Sequence, residues 1–504
     1  MKILTAEQIR EIDEATIKGE PISSVNLMER AANQLLQVVL HQFTQAKNIA
    51  LLAGPGNNGG DAIALTRLLS ENGKRTTLFL IDLGGQLSPD SKANLNRLDN
   101  YKEVTIETIS KNDASPDFQE YDLLIDGIFG SGLSRPVEGW LATLFSAINQ
   151  SASKIMSIDI PSGLFSEDNT ENNGAIIKAA YTVSFEFPKL AFLLPENEPY
   201  VGEWEVRSIN LLPQAIDKQT TSNYCTTIDR LPELQKRSKF AHKGHFGHAL
   251  LIAGSYGKTG AALLAAKACL RSGVGLLTVH VPQSAYEILQ STVPEAMALI
   301  DETEQIYCSA GNIEKFDFVG AGPGIGQKKS MVDALRTTLS HAKKSMVLDA
   351  DALNIIAAHQ ELFKLIPENS ILTPHPKEFD RLTHTHTSQL QRIESAKKLA
   401  KQHNIIIILK GAHTAIINSN GQAFFNTTGS PAMAKGGSGD VLTGMVLGIL
   451  SSGYRPINAA ILATFLHGKA AELALANESV ESVIATDIIE QIGAAFEFVR
   501  KNKQ

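Results

Sequence analysis

The stretch Ile49–Asp61 constrains the fold of this chain most. An apolar run, Ile49-Ala50-Leu51-Leu52-Ala53, leads straight into Gly54-Pro55-Gly56-Asn57-Asn58-Gly59-Gly60-Asp61, and a helix-forming segment, Ala62–Leu69, follows. A continuous apolar run this short reads as a strand buried on both faces, the habit of parallel sheets. Parallel strands need crossover connections, so strand, turn and helix together imply an α/β sheet covered by helices. The turn is neither a dinucleotide fingerprint nor a Walker loop, because its glycine spacing differs and no Lys-Ser/Thr follows. A plain connection does not account for two Asn and an Asp packed between glycines; a phosphate or nucleotide site does.

Two amphipathic helices precede this unit. Thr5 and Gln8 have capping-box spacing before the stripe Ile9, Ile12, Ile17, and a second helix is expected around Asn26–Leu40. Further strands are expected at Thr76–Asp82, Val104–Ile109, Leu123–Phe129 and Ile155–Ile160. The last two run into Asp126–Leu133 and Asp159-Ile160-Pro161-Ser162-Gly163, and ligands of open parallel sheets collect at such carboxyl ends. Asn58, Asp126 and the Ser162 region offer hard oxygens suited to an alkali or alkaline-earth cation. Ala180–Phe187 and Glu203–Ile209 read as β-rich closing structure. Leu211–Asn223 then turns polar with little periodicity, which predicts a linker at 214–226 between domains at 1–213 and 227–504.

The second half restarts the α/β pattern. The basic entry Phe240–Gly247, with Lys243 expected near a phosphate, leads to a strand at His248–Ala253 and a small-residue helix, Ala261–Leu270. Later strands end in Gly322-Pro323-Gly324-Ile325-Gly326, in Asp349-Ala350-Asp351, in Pro374-His375-Pro376-Lys377-Glu378 and in Lys410-Gly411-Ala412-His413-Thr414. The series culminates in Gly436-Gly437-Ser438-Gly439-Asp440 before the apolar helix Val441–Ser451. Free amides at a helix start favour an anion, and small residues let a ligand approach the backbone. A carboxylate there repels phosphate unless it acts on the group the phosphate meets, which suggests a general base for an attacking hydroxyl.

At 504 residues two or three domains are expected, with 43% hydrophobic and 20% charged residues typical of soluble globular chains. A net charge of −7 argues against nucleic acid or an anionic membrane as partner. Cys225, Cys269 and Cys308 have no metal or disulfide spacing, the segment Met1–Arg10 turns polar at once, and no apolar run reaches spanning length. A cytoplasmic protein is expected.

On these motifs the first half resembles the NAD(P)H-hydrate epimerases, through Ala53–Asp61, Asp126–Leu133 and Asp159–Gly163. The second resembles the ADP-dependent NAD(P)H-hydrate dehydratases of ribokinase-like fold, through Gly320–Gly326, Thr373–Leu382, Lys410–Thr414 and Gly436–Gly444. Fused, they resemble the bifunctional NAD(P)H-hydrate repair family. The resemblance implies a Rossmann-like three-layer α/β domain followed by a ribokinase-like one. The implied substrates are NADHX and NADPHX, cofactors damaged by addition of water to the nicotinamide ring. One half would interconvert the R and S hydrates; the other would dehydrate the S form at the expense of ADP, with Mg2+, giving AMP and phosphate.

It further implies substrate contacts at Asn57, Asn58, Gly59, Gly60, Asp61, Gly130, Ser131, Gly132, Leu133, Ser134, Arg135, Pro136 and Asp159, with K+ held by Asn58, Asp126 and Ser162. In the second half, Ala261, Gly322, His375 and Asp440 match hydrate contacts, while Lys410, Gly411, Ala412, His413, Thr414 and Gly439 match nucleotide contacts. Asp159 and Asp440 are the expected catalytic groups, and Lys189 is either a helper of Asp159 or a surface lysine. Ala62 stands where most relatives are expected to have glycine. A homo-oligomer is also implied. The rival reading is a ribokinase-like small-molecule kinase fused to a non-catalytic nucleotide-binding module; the glycine-rich helix start fits both, and the epimerase-like half separates them.

Overall fold

The computed structural model describes residues 1–309 and 311–503. It divides into two compact units, one spanning Lys2–Thr221 and the other Ser222 onward together with Met1.

In the first unit the seven strands are β1 (Asn48–Ala53), β2 (Arg75–Ile81), β3 (Thr105–Ile109), β4 (Leu123–Gly127), β5 (Lys154–Ile158), β6 (Tyr181–Phe185) and β7 (Glu203–Arg207), ordered β3-β2-β1-β4-β5-β6-β7. All pair in parallel. β1 shows why its sequence is uniformly apolar. Ile49, Leu51 and Ala53 enter one core, with Leu35 and Val39 of the helix Ser24–Gln42 and Ile63 of the helix Asn57–Glu71. Ala50 and Leu52 enter the opposite core, with Phe145 and Ile148 of the helix Trp140–Asn149. The first helix, Ala6–Gly19, carries the expected Thr5–Gln8 capping box.

The second unit holds a ten-stranded sheet: β8 (Asn223–Thr226), β9 (His248–Ile252), β10 (Leu276–Val281), β11 (Met297–Ile300), β12 (Phe318–Ala321), β13 (Met346–Leu348), β14 (Ile371–Leu372), β15 (Ile406–Leu409), β16 (Ala415–Ile417) and β17 (Ala423–Asn426). The order is β11-β10-β9-β12-β13-β14-β15-β16-β17-β8. Pairing is parallel as far as β15; β16 then runs antiparallel to both β15 and β17. One face is packed by four helices, Thr259–Arg271, Ser438–Ser451, Pro456–Ala474 and Ala485–Asn502, whose Ala265, Met445, Leu466 and Ile492 share a core with Leu251 of β9.

One expectation is refined here and one corrected. The break between the two units falls inside the expected linker, 214–226, but that segment is not irregular: it contains most of the helix Pro213–Lys218, and β8, which pairs with β17. Its polar composition hid a strand because an edge strand needs only a partly apolar face. Lys243 stands just before β9, in a turn whose carbonyl packs on Gly275 before β10. That is the amino end of these strands, opposite the end bearing Asp349 and Gly322, so Lys243 does not serve a phosphate there.

Candidate active sites

In the first sheet the strand order reverses between β1 and β4, and the loops after them part there. A cavity of about 570 Å3 opens at this point, lined by Asn57, Asn58 and Asp61, by Gly130–Leu133, and by Asp159 after β5. Gly56 caps the helix Asn57–Glu71 without a side chain, leaving its first amides for a ligand. Gly59 permits the tight turn beneath: a Cβ there would lie 1.8 Å from the Gly54 carbonyl oxygen. Gly59 and Gly60 are buried under the cavity, whereas Ser134 and Arg135 are exposed and do not line it.

Asp159 has a left-handed backbone, φ 64°, which for a non-glycine residue stores strain of the kind found at functional positions. Its carboxylate lies 2.7 Å from the Lys189 ammonium and accepts the Ser131 amide at 3.3 Å. Burial alone would raise its pKa, but Lys189 and Ser131 outweigh that and hold it below the usual carboxylate range. Lys189 is only 1% exposed, so the surface-lysine alternative is removed. Asp61 is pushed well up by burial and by the charge of Asp159. The helix Ala6–Gly19 supplies a residue that motif reading missed: Asp13 lines the cavity, and burial plus Asp159 raise it to about 7. The signal was Ile9, Asp13 and Ile17 at intervals of four on one helix face, a carboxylate inside an apolar stripe.

The proposed cation ligands come together. Asp126 accepts from Ser162 Oγ at 2.5 Å, the Ser162 amide at 2.8 Å and Ser157 Oγ at 2.8 Å, while Asn58 Nδ2 donates to the Phe129 carbonyl at 3.0 Å. Ser162 Oγ also lies 3.2 Å from that carbonyl. Burial raises Asp126 despite these bonds, and every hydrogen-bond partner it has among the described residues is neutral. A buried carboxylate beside a carbonyl and a hydroxyl, with no cationic side chain bonded to it, suits a cation.

In the second sheet the reversal lies between β9 and β12. A cavity of about 450 Å3 is lined by Lys258, Ala261, Gly324, Asp351, Glu378 and Asp440. Asp440 sits in the first turn of the helix Ser438–Ser451. Burial and the charge of Asp349 raise its pKa to about 6, with Lys410 acting the other way. Asp349 is nearly inaccessible; Lys410 Nζ lies 2.9 Å from it and Thr443 Oγ1 donates at 2.6 Å. Lys410 is also 3.9 Å from Glu378; burial opposes its charge, but Asp349 and Glu378 prevail and hold it above its ordinary value. Gly439 packs against it, since a Cβ there would be 3.5 Å from Lys410 Nζ. Gly322, at φ +136°, lets the loop after β12 cross Asp349, whose carbonyl oxygen would be 1.8 Å from a Cβ.

Asp351 is tied to Lys258 at 3.1 Å and to the Gly326 amide at 2.8 Å. His375 caps the helix Pro376–Leu382 through Nδ1, and Glu378 returns the bond to the His375 amide at 2.9 Å. Gly411, Ala412, His413 and Thr414 form the turn between β15 and β16, closed by Thr414 Oγ1 donating to the Gly411 carbonyl at 2.9 Å, and do not line the cavity. The cluster contains Asp349, Asp351 and Glu378, to which sequence reading gave no role; the paired acids ending β13 were the visible signal. A larger groove of about 980 Å3 lies where three of the packing helices end; its Arg271 and Arg500 sit at helix C-termini, where cations offset the dipole.

Fold and sites define a two-domain α/β enzyme with a Rossmann-like first half and a ribokinase-like second. Residues 249–494 match the family described as NAD(P)H-hydrate dehydratase, and residues 24–191 the YjeF-related protein N-terminus. A bifunctional NAD(P)H-hydrate repair enzyme from Moorella thermoacetica is 31% identical over 97% of this chain and 96% of its own. One from Thermosynechococcus vestitus is 34% identical over 93% and 92%. A solved ribokinase-like superfamily protein from Enterococcus faecalis covers 56% of this chain and 97% of its own at 27% identity, with a TM-score of 0.50. The chain belongs to the bifunctional NAD(P)H-hydrate repair enzymes.

Proposed function

We propose that this protein repairs hydrated NADH and NADPH, the first unit interconverting the R and S hydrates and the second dehydrating the S form with Mg2+-bound ADP as co-substrate. The observation that carries the second activity is Asp440, a carboxylate poised near 6 at a glycine-rich helix start facing a cavity. A base of that poise is ionised at neutral pH yet basic enough to accept a hydroxyl proton. As the ring hydroxyl attacks the terminal phosphorus of ADP, Asp440 takes its proton and the bond to AMP breaks. Phosphate is a good leaving group: the C–O bond then breaks, a proton leaves the adjacent ring carbon, and the double bond returns. Amides at Gly436–Gly439 stabilise charge on the transferring group. Lys410, held by Asp349, keeps a fixed positive charge beside Gly439. The kinase-plus-module alternative is disfavoured by full-length relatives named bifunctional NAD(P)H-hydrate repair enzymes.

In the first unit Asp159, kept ionised by Lys189, serves as acid–base group for inversion. Asn58, Asp126 and Ser162 are the residues that would hold K+. The ion would supply the positive charge that buried Asp126 lacks, fixing the loops after β4 and β5. A cytoplasmic location and a homo-oligomer complete the proposal. The three cysteines are free, and no helix among the described residues is long and apolar enough to cross a membrane.

One assay tests the reading. A mixture of R and S hydrates with ADP, Mg2+ and K+ is expected to convert completely to NADH, seen by its absorbance, and to slow after the S form when a tetraalkylammonium salt replaces K+. Absence of any conversion overturns the dehydratase assignment, and a stall after the S form in K+ overturns the epimerase assignment.

A further inference from the structure

The first helix, Ala6–Gly19, precedes the residues matched by either family, yet it forms a wall of the first cavity. On that wall Asp13 is the acidic group, set between Ile9 and Ile17, and Asp159 reaches the same cavity from the carboxyl end of the sheet. We propose that Asp13 is a second acid–base group of the epimerisation, delivering a proton to the ring hydroxyl from the helix wall while Asp159 works from the sheet. This rests on the epimerase reading of the first unit.

The chemistry needs such a partner. An enamine takes up water at the carbon bonded to nitrogen, so the inverting centre carries a hydroxyl beside the ring nitrogen. Inversion without carbon-bound proton removal proceeds when that C–O bond breaks. Both electrons leave with oxygen, which takes the Asp13 proton and departs as water, and the nitrogen lone pair closes to an iminium. Water then adds to the opposite face and its proton passes to the Asp159 carboxylate. Solvent exchange returns Asp13 and Asp159 to their starting states. Asp159, held ionised by Lys189, cannot be both the acid that expels hydroxide and the base that receives the new proton. Asp13 is supplied with a proton near neutrality, its pKa being raised to about 7 by burial and by Asp159. The charged and titratable groups facing it are Asp61, Asp159 and Asp90 of the helix Pro89–Arg97, with Lys189 and Glu186 from beyond β6, and Arg10 lies on its own helix. Its helix neighbours Ile9 and Ile17 are apolar and line the same cavity.

The test measures epimerisation alone, by following R-to-S conversion in full-length enzyme without ADP. Asp13→Asn is expected to lower kcat by about 10²–10⁴, the range of general acid catalysis. It should also abolish the fall of wild-type rate as pH rises through about 7, where Asp13 loses its proton. Asp13→Glu should restore part of the rate and the alkaline limb. Dehydration of pure S hydrate with ADP should be unchanged, and an unaltered circular-dichroism melt together with an unchanged KM for the R hydrate shows that the first unit is folded. An Asp13→Asn enzyme with wild-type rate, or with a slow rate and an unchanged alkaline limb, overturns the proposal while leaving the epimerase reading intact. Wild-type enzyme that does not epimerise overturns the reading itself.

Discussion

Asp159 and Asp440 are driven in opposite directions by their neighbours. Both are withdrawn from water, which favours the neutral acid, but Asp159 has an ammonium at 2.7 Å while the Lys410 ammonium that acts on Asp440 is committed to Asp349. Asp440 therefore titrates near 6, above the 3.8 of an ordinary aspartate. The consequence for stability has a definite sign. A carboxyl with a raised folded pKa binds its proton more tightly folded than unfolded, so it contributes stability in acid that is lost as pH rises through the folded value. Asp440→Asn is thus expected to raise the melting temperature by a few degrees at neutral pH and to leave it near wild type at pH 4 or below. Thermal unfolding at the two pH values checks this, and dehydration should be abolished in the same variant. A site residue whose removal stabilises the fold is the trade expected where a buried charge is kept for chemistry.

Among the elements, the helix pair Ser438–Ser451 and Thr259–Arg271 determines where Asp440 stands. Their contact is made by small residues: a Cβ on Gly444 would lie 2.1 Å from the Ala265 carbonyl oxygen, and one on Gly448 would lie 2.4 Å from that of Cys269. Both obstacles are backbone and cannot rotate away. Gly444→Ala is expected to cost about 1–3 kcal/mol in chemical denaturation. Dehydration should weaken with it, because a shift of the helix that relieves the clash carries Asp440 with it, while epimerisation should persist. The small-residue character of both helices is visible in the sequence. That Gly444 faces Ala265, rather than merely lowering helix propensity, is decided by the pairing.

For the whole molecule, each cavity is lined by residues of one unit alone. Inactivating one site should leave the other working. Asp159→Asn is expected to stall on the R hydrate and Asp440→Asn to yield none of the reduced cofactor, whereas an equimolar mixture of the two should restore complete conversion. The time course of NADH absorbance reads all three. A mixture that stalls would mean the hydrate does not pass through solution between the sites.

What the sequence determined by itself was local. Apolar runs too short for helices, glycine-rich turns and helix starts follow from backbone sterics and burial, which act over a few residues. They are sufficient for two α/β halves and for Asn57–Asp61, Asp126, Asp159 and Asp440 at strand ends and helix starts. They also carried the resemblance that the full-length relatives uphold. What only the tertiary structure decided was which distant groups meet. Lys189, ambiguous in the sequence, is buried against Asp159 because the chain beyond β6 folds back over the end of β5. Lys410 is locked to Asp349 across β13, β14 and β15, and Lys243 lies at the wrong end of its sheet. The strand at Asn223–Thr226 exists because β17 offers an open edge to pair with. Asp13 acquires its poise only when a helix from the start of the chain closes over the sheet. Desolvation and Coulomb interaction depend on distance in space rather than along the chain, so the charge state of each site residue is fixed by the fold.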